Sequence, residues 1–230
     1  MNAEIPVITI DGPSGSGKGT ISHLIAQTLG WHMLDSGALY RLVALGAEKH
    51  KISLQDEDKL ADYAANLDVR FELPEGSTEV LVLLEDKEVS HELRTETCGN
   101  TASKVAAIPA VREALLQRQR DFLQAPGLVA DGRDMGTTVF PHARLKIFLT
   151  ASAEERAKRR YKQLKEKGMD ANLTGLLKEI AERDARDSQR TVSPLQAAAD
   201  AVQLDTSSLS INEVVARVEQ LCEERFQLSL

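Results

Sequence analysis

The stretch IPVITIDGPSGSGKGT, residues 5–20, decides the fold of this chain. Its first six residues are apolar or β-branched, which predicts a short buried strand of a parallel sheet. The glycine-rich segment after them matches the pattern G-x-x-x-x-G-K, and a helical spacing of apolar residues begins at Lys18. A strand, a glycine-rich loop and a helix in this order predict a loop that holds the phosphates of a nucleoside triphosphate.

The composition of the glycine-rich loop suits the binding of phosphate groups. Its backbone N–H groups can point at phosphate oxygens, the helix N-terminus adds partial positive charge, and Lys18 can reach the β- and γ-phosphates. The alternative is a chance Gly/Ser-rich turn, which the strand–loop–helix context disfavours. The predicted ATP-binding residues are Gly12, Pro13, Ser14, Gly15, Ser16, Gly17, Lys18, Gly19 and Thr20.

One position departs from the usual pattern. Gly19 follows the lysine where Ser or Thr is common, and Thr20 comes one place later. The sequence therefore leaves open whether the hydroxyl of Ser16 or of Thr20 approaches the Mg²⁺ that accompanies ATP.

Four more apolar runs predict the rest of a sheet. They end in polar or turn residues, and helical periodicity separates them; they lie at residues 31–34, 127–130, 145–149 and 201–204. Strands that alternate with helices predict an α/β fold of the P-loop NTPase type, with a parallel five-stranded sheet and helices on both faces.

One region breaks this alternation. Residues 67–89 contain two apolar strand patterns separated by a Pro-Glu-Gly-Ser turn, which predicts a small antiparallel hairpin or meander. Helical patterns follow at 91–107 and 109–123. We therefore predict an inserted subdomain at residues 66–125. Residues 1–65 and 126–230 then form the α/β core.

The charge of the chain is unevenly distributed. The 230 residues carry a net charge of −7, which argues against nucleic acid or an anionic membrane as a partner. Residues 156–190 nevertheless have a local excess of five positive charges over their six acids. The basic residues are Arg156, Lys158, Arg159, Arg160, Lys162, Lys165, Lys167, Lys178, Arg183, Arg186 and Arg190. This segment predicts an anion site; a solvated helix with ion pairs is the alternative, and it suits the lysines at 158–167.

Polar residues follow two of the predicted strands directly. Ligands of open parallel sheets bind beyond the carboxyl ends of the strands. Asp131 is therefore expected to meet Mg²⁺ or its water shell, and Arg133 and Asp134 to face an acceptor. Asp35 and Ser36 lie past the second strand, where simple helix capping is the alternative reading.

The cysteines and the apolar runs indicate the compartment in which the protein works. Cys98 and Cys222 form no C-x-x-C pair, which predicts free thiols in a reducing cytoplasm. No apolar run has the ~20 residues of a membrane span, and no coiled-coil seam is present, so we expect a cytoplasmic monomer.

Taken in order, the motifs resemble those of the bacterial cytidylate kinases, which are nucleoside monophosphate kinases. The matching residues are 8–15, 17–20, 34–38, 40–41, 106, 111–116, 130–137 and 182–190, and they span nearly the whole chain. The stretch DGRDMGT at 131–137 and the long insertion after residue 66 are specific to this family among such kinases.

The resemblance implies a role for each matching position. Ser103, Arg112 and Asp134 would read the cytosine edge, and Arg183 and Asp187 would hold the ribose. Arg41, Arg133 and Arg190 would clamp the acceptor phosphate. The insertion at residues 66–125 would bind the nucleoside monophosphate, and residues 1–65 and 126–230 would form the kinase core. The lid would lie at about 154–170, with its arginines in the Arg156–Arg160 stretch. The expected CMP-binding residues are Ser36, Tyr40, Arg41, Ser103, Arg112, Arg133, Asp134, Arg183, Asp187 and Arg190, and the catalytic ones are Lys18, Arg133, Arg160 and Arg190.

The expected reaction is Mg²⁺-dependent transfer of the ATP γ-phosphoryl group to CMP or dCMP. An acceptor phosphate is already anionic near pH 7, so no general base is needed. Two rivals are a kinase for UMP, AMP or a small alcohol such as shikimate, and a nucleotide-switched binding module. An alcohol would need a base, for which only Asp35 is available, and the dense arginines disfavour a module.

Overall fold

The computed structural model describes residues 5–72, 81–166 and 170–227. Within these ranges the strands are β1 (Val7–Asp11), β2 (His32–Asp35), β3 (Val69–Glu72), β4 (Leu81–Leu84), β5 (Lys87–Glu88), β6 (Leu128–Gly132), β7 (Leu145–Thr150) and β8 (Val202–Asp205). The α-helices are α1 (Lys18–Leu29), α2 (Ser36–Lys49), α3 (Glu57–Ala65), α4 (Ser90–Leu93), α5 (Glu96–Val105), α6 (Pro109–Arg120), α7 (Ala153–Glu166), α8 (Leu173–Ser188) and α9 (Ile211–Phe226). A π-helix spans Met135–Val139.

The chain divides into two compact units. One comprises Met1–Asp35 with Gln119–Leu230, and the other Ser36–Arg118. The second unit therefore starts well before the expected boundary at residue 66. The physical reason is that α2 packs extensively against α5, so the helix after β2 shares its core with the inserted region.

The first unit contains a five-stranded sheet in the order β2-β6-β1-β7-β8, and every pairing is parallel. This confirms the fold class that the apolar runs predict. Strand β1 is buried along its whole length at the centre of the sheet. A parallel sheet that is covered on both faces favours such continuous apolar strands.

Helices cover both faces of this sheet. Ile8 and Ile10 pack with residues of α1 and α9, including Ile25 and Val218, in one buried cluster. The opposite face of β1 carries Thr9, against which the π-helix packs closely at Gly136. The carboxyl end of β1 thus leads into a loop that is held by packed elements on both sides.

The second unit has a three-stranded antiparallel sheet, in the order β3-β4-β5. This confirms an antiparallel meander, although the predicted Pro-Glu-Gly-Ser turn lies outside the described residues. The single helix expected at 91–107 is instead two helices. Thr95 adopts an extended backbone between them, and its hydroxyl accepts a hydrogen bond from the N–H of Cys98, which caps α5.

Two features bear on the environment of the protein. Cys98 and Cys222 are buried and carry thiols that form no disulfide, as the sequence predicts. In the described ranges, no helix combines the length and the apolar composition that crossing a bilayer requires.

Candidate active site

The glycine-rich loop connects the carboxyl end of β1 to the N-terminus of α1. Gly17, which caps α1, has a φ of 96°, a left-handed conformation that glycine adopts without strain. Gly12 has no room for a side chain, because a Cβ there would lie 2.1 Å from the carbonyl oxygen of Leu149. The glycines therefore let the backbone turn tightly against β7, as the motif predicts.

Lys18 lies inside this loop and is only 8% exposed. Its Nζ donates to the carbonyl oxygen of Pro13 at 3.2 Å and lies 4.0 Å from Oδ1 of Asp131. Burial lowers the pKa of Lys18 below its usual value, although the Asp131 carboxylate opposes that shift. The ammonium group is thus held against the loop with most of its water removed, where its attraction for an anion is strongest.

Three aspartates lie at the carboxyl ends of neighbouring strands: Asp35 and Asp11 are the last residues of β2 and β1, and Asp131 is the last but one of β6. Asp35 pairs in register with Asp131, and Asp11 ends β1 beside them. Burial raises the pKa of Asp131, and Asp35 adds to that rise. Asp131 lies within β6, one residue before the strand ends, and its carboxylate faces the Lys18 ammonium group.

Asp11 holds the π-helix. Its two carboxylate oxygens accept hydrogen bonds from the N–H groups of Met135 and Gly136, both at 2.8 Å. Burial raises its pKa to about 7, while these two N–H groups oppose the rise. Because the π-helix directly follows Asp134, Asp11 sets the position of a proposed substrate residue.

The backbone of the loop is anchored by arginines of α7. Arg156 donates to the carbonyl oxygen of Ser14 at 3.0 Å and forms a two-pronged ion pair with Asp184 of α8. Arg159 donates to the carbonyl oxygen of Ser16 at 3.4 Å. These two guanidiniums, which the family resemblance assigns to a lid, are engaged with the phosphate-binding loop.

Thr206, just after β8, completes this anchor. Its hydroxyl lies 3.1 Å from the carbonyl oxygen of Ser16 and 3.0 Å from that of Thr150, and it accepts a hydrogen bond from Arg159 at 3.1 Å. Thr206 is 2% exposed, so the network is shielded from water. Sequence reasoning missed this residue, although the rule that found Asp131 applies equally to the polar residues after residue 204.

A second cluster of charges joins α8 to the segment after β6. Asp187 is 1% exposed and forms ion pairs with both Arg133 and Arg190. Burial disfavours the charged form of Arg133, yet Asp187 raises its pKa above the usual value. Arg183 of the same helix donates to the hydroxyl of Ser14 at 3.2 Å. The structure thus brings Arg133, Arg183, Asp187 and Arg190 together with the phosphate-binding loop in one unit.

Arg160 and the neighbouring lysines of α7 are on a more open surface. Arg160 is half-buried and donates to Gln163 at 3.3 Å. Lys158, Lys162 and Lys165 form surface ion pairs, as the solvated-helix reading expects, and Lys167 lies outside the described residues.

The other substrate candidates lie in the second unit. The guanidinium of Arg112 lies over the ring of Tyr40, 5.6 Å from its centroid, and donates to the carbonyl oxygen of Ala106. Arg41 donates to the carbonyl oxygens of Leu93 and Thr95. Ser36, at the start of α2, and Ser103, on α5, are both buried.

The two candidate hydroxyls for a magnesium ion have different surroundings. Ser16 is 1% exposed, and its hydroxyl has no hydrogen-bond partner among the described residues. Thr20, in contrast, is exposed. Asp131 supplies a carboxylate nearby, and Mg²⁺ prefers such oxygen donors together with water and phosphate oxygens. These groups fit a magnesium ion that ATP carries, although the described residues hold no cluster of three protein side chains of the kind that ligates a metal alone.

Comparison with known proteins identifies the family. A family model described as cytidylate kinase matches residues 8–224. A protein named cytidylate kinase from Pseudomonas putida (strain W619) is 59% identical over 225 residues, which cover 98% of this chain and 99% of that protein. Its namesake from Pseudomonas entomophila (strain L48) is 61% identical over 218 residues, covering 95% and 96%.

A solved structure shows a likeness of fold alone. The crystal structure of an uncharacterized protein from Eubacterium ventriosum ATCC 27560 has a TM-score of 0.51 at 8% identity, covering 96% of this chain and 100% of that one. The sequence matches, in contrast, extend over the phosphate-binding loop and both arginine-bearing helices. They confirm the resemblance that the motifs indicate, and the chain belongs to the cytidylate kinase family.

Proposed function

We propose that this protein transfers the γ-phosphoryl group of ATP to CMP or dCMP, giving ADP and CDP or dCDP. The observation that carries the proposal is the family match over residues 8–224, which includes the complete phosphate-binding loop. The buried Lys18 and the arginine cluster supply the cations that such a transfer needs.

The donor nucleotide binds in the loop of residues 12–20. The N–H groups of the loop and the N-terminus of α1 hold its phosphates, and Lys18 neutralises the β- and γ-phosphates. The anchor formed by Arg156, Arg159 and Thr206 keeps the loop in place before ATP arrives, so less ordering free energy is lost on binding.

Magnesium accompanies the ATP. The hydroxyl of Ser16 and the carboxylate of Asp131, through water, would hold it, whereas the exposed Thr20 is the less suitable hydroxyl. The ion's contribution when bound is to neutralise charge on the phosphate oxygens.

The base of the acceptor is selected by its hydrogen-bonding edge. Cytosine presents an amino group at N4 and an acceptor at N3, so the Asp134 carboxylate accepts from N4 and the Arg112 guanidinium donates to N3 or O2. Ser103 completes this set. Uracil has a carbonyl in place of the amino group, so it offers no N4 donor to the buried Asp134 carboxylate. Such a loss costs about 1–3 kcal/mol, which disfavours UMP.

The acceptor phosphate is held by arginines. Arg41, Arg133 and Arg190 clamp it, and Asp187 keeps the last two in position through its ion pairs. Arg183 and Asp187 hold the ribose, so Asp187 has two tasks in this proposal. Ser36 and Tyr40 complete the lining of the acceptor site.

Catalysis follows from position and charge. The phosphate oxygen of CMP attacks the γ-phosphorus of ATP without help from a base, since it is already anionic. Lys18, Arg133, Arg160 and Arg190 stabilise the charge of the transferring group, and the lid around α7 excludes water that would otherwise hydrolyse ATP.

We also propose that the protein acts as a monomer in the cytoplasm, on free nucleotides. The buried thiols of Cys98 and Cys222, which form no disulfide, suit a reducing compartment. The positive charge concentrated at 156–190 suits two small phosphate ligands, while the net charge of −7 disfavours long polyanions.

A single assay tests the activity. ADP release is followed by a coupled enzyme with ATP, Mg²⁺ and, in separate reactions, CMP, dCMP, UMP, AMP and shikimate. We expect turnover with CMP and dCMP far above that with the others. Stimulation by shikimate or AMP alone would contradict the proposal, and stimulation by no acceptor would favour a nucleotide-switched module.

A further inference from the structure

A cavity lies at the end of the sheet opposite to the phosphate-binding loop. It has a volume of about 590 Å³ and is lined by residues before β1, after α6 and between the π-helix and β7. Because β1 has five residues at about 3.3 Å each, the cavity and the loop are separated by on the order of 15 Å. The cavity is therefore distinct from the proposed kinase site.

The cavity has an apolar floor and a cationic rim. Val7, Val139 and Phe140 are buried at its floor, and Leu123 forms a half-buried wall. Arg120, His142 and Arg144 are the exposed residues of the rim that carry ionisable side chains. A volume of this size is typical of sites for small organic molecules.

Among the described residues, no carboxylate neutralises Arg120 or Arg144. Arg120 donates to the carbonyl oxygens of Val139 at 3.2 Å and Thr138 at 3.4 Å, and Arg144 donates to that of Arg225 at 2.9 Å. Within the described part of the chain, neither guanidinium has a carboxylate oxygen within 4.0 Å. Each guanidinium has five N–H donors, so both retain donors for an anion.

The apolar floor and the two arginines of the rim together indicate which kind of molecule the cavity binds. An inorganic anion would leave the apolar floor unused, and a neutral apolar molecule would leave the guanidiniums unused. We propose that the cavity is an accessory binding site for a small aromatic monoanion, such as an aryl carboxylate or sulfonate. Its ring covers Val139 and Phe140, and its anionic group lies between Arg120 and Arg144.

The π-helix connects this site to a substrate residue. Arg120 binds the last carbonyl groups of the π-helix, and the first N–H groups of the same helix are held by Asp11, next to Asp134. An anion that engages Arg120 therefore acts on an element whose other end adjoins the proposed base-reading carboxylate.

The test uses 1-anilinonaphthalene-8-sulfonate, an aryl sulfonate whose fluorescence rises on binding. The full chain is titrated with this probe, without nucleotide and then with ATP. We expect saturable binding of one equivalent that ATP does not displace. Leu123→Trp, which fills the cavity, should abolish it, and Arg144→Gln should weaken it by about 10-fold, as for the loss of one charge-assisted hydrogen bond.

Two controls keep the result interpretable. Arg217→Gln removes an equal charge from the exposed surface of α9, outside the cavity, and should leave probe binding unchanged. Arg144→Lys retains the charge and should recover part of the affinity. Thermal denaturation of each variant shows that it is folded.

The proposal is overturned if the probe binds Leu123→Trp as it binds the unmodified protein, or if ATP displaces it. Absence of saturable binding also overturns it. A dimer in sedimentation that Leu123→Trp disrupts, without anion binding, would assign the cavity to a second copy of the chain. Since binding is measured without turnover, these outcomes do not depend on the proposed kinase activity.

Discussion

Thr206 is a positioning residue for the ATP site, and its hydroxyl can be removed with little change in shape. In Thr206→Val a methyl group replaces the hydroxyl that faces the carbonyl oxygens of Ser16 and Thr150. The Thr150 carbonyl still accepts the N–H of Thr206 at 2.8 Å. The Ser16 carbonyl, in contrast, keeps only the longer contact with Arg159, at 3.4 Å.

The size of the effect follows from that single carbonyl. A hydroxyl has one proton, so it donates to only one of the two oxygens at a time. A buried carbonyl that loses its partner costs about 1–3 kcal/mol. If the loop must regain its order when ATP binds, the same free energy weakens ATP binding by about 5- to 150-fold, at 1.4 kcal/mol for each factor of ten.

Steady-state kinetics distinguishes a role of Thr206 in positioning the ATP-binding loop from a general loss of protein stability. We expect Thr206→Val to raise the KM for ATP while the KM for CMP changes little, because the hydroxyl contacts the donor loop, at Ser16, and none of the proposed CMP residues. Urea unfolding of the same protein should show a loss of about 1–3 kcal/mol in the free energy of unfolding. Thr206→Ser keeps the hydroxyl and serves as the matched control, with kinetics close to those of the unmodified protein.

Two results would refute the reasoning. One is a Val variant whose KM for ATP equals that of the unmodified protein although its unfolding free energy falls, since Thr206 would then be merely structural. The other is a Ser variant as impaired as the Val variant, since the hydroxyl would then not be the relevant group.

Four further predictions address the proposed catalytic and substrate groups. Lys18→Met should lower kcat at least 100-fold with an unchanged circular dichroism spectrum, since a transition-state donor is lost; near-normal turnover would exclude the loop as the ATP site. Because burial lowers the pKa of Lys18 to about 8 and bound phosphate raises it again, ATP affinity measured by calorimetry should fall as the pH rises above about 8. Lys18→Arg, which stays charged, should remove that dependence, and its persistence would locate the titration elsewhere. Asp134→Ala should impair CMP phosphorylation far more than intrinsic ATP hydrolysis, and an equal loss of both would contradict base reading. Asp187→Ala leaves Arg133 and Arg190 buried without their shared partner, so unfolding by urea should require about 3–5 kcal/mol less; unaltered stability would show that these ion pairs contribute nothing.

The parts of the fold that sequence reasoning predicted are those with local causes. Five apolar runs correspond to the five parallel strands. The three central strands, β6, β1 and β7, are buried almost completely, which requires apolar side chains along their length. The loop before Lys18 was evident because tight turns and phosphate contact require glycine at fixed positions. The family resemblance also rests on local motifs, and the comparisons confirm it.

The features that sequence reasoning did not predict depend on side-chain caps and on packing between elements. Helix α3 was not predicted, and the break at Thr95 depends on a side-chain cap that a helical pattern does not show. The π-helix at Met135–Val139 forms where the buried carboxylate of Asp11 receives its N–H groups. The second unit begins at Ser36 and not at the expected residue 66, because α2 packs against α5.

For this protein, the sequence by itself determined the chemistry: a phosphate-binding loop with its lysine, a local excess of arginine, and the aspartates after strands. Only the tertiary structure decided how those groups are held. Thr206 lies 190 positions from Ser16 along the chain, yet its hydroxyl meets the carbonyl of that residue. The reason is physical: buried backbone carbonyls must find donors, and a parallel sheet brings the ends of distant strands to one edge, where any segment that ends there can supply them.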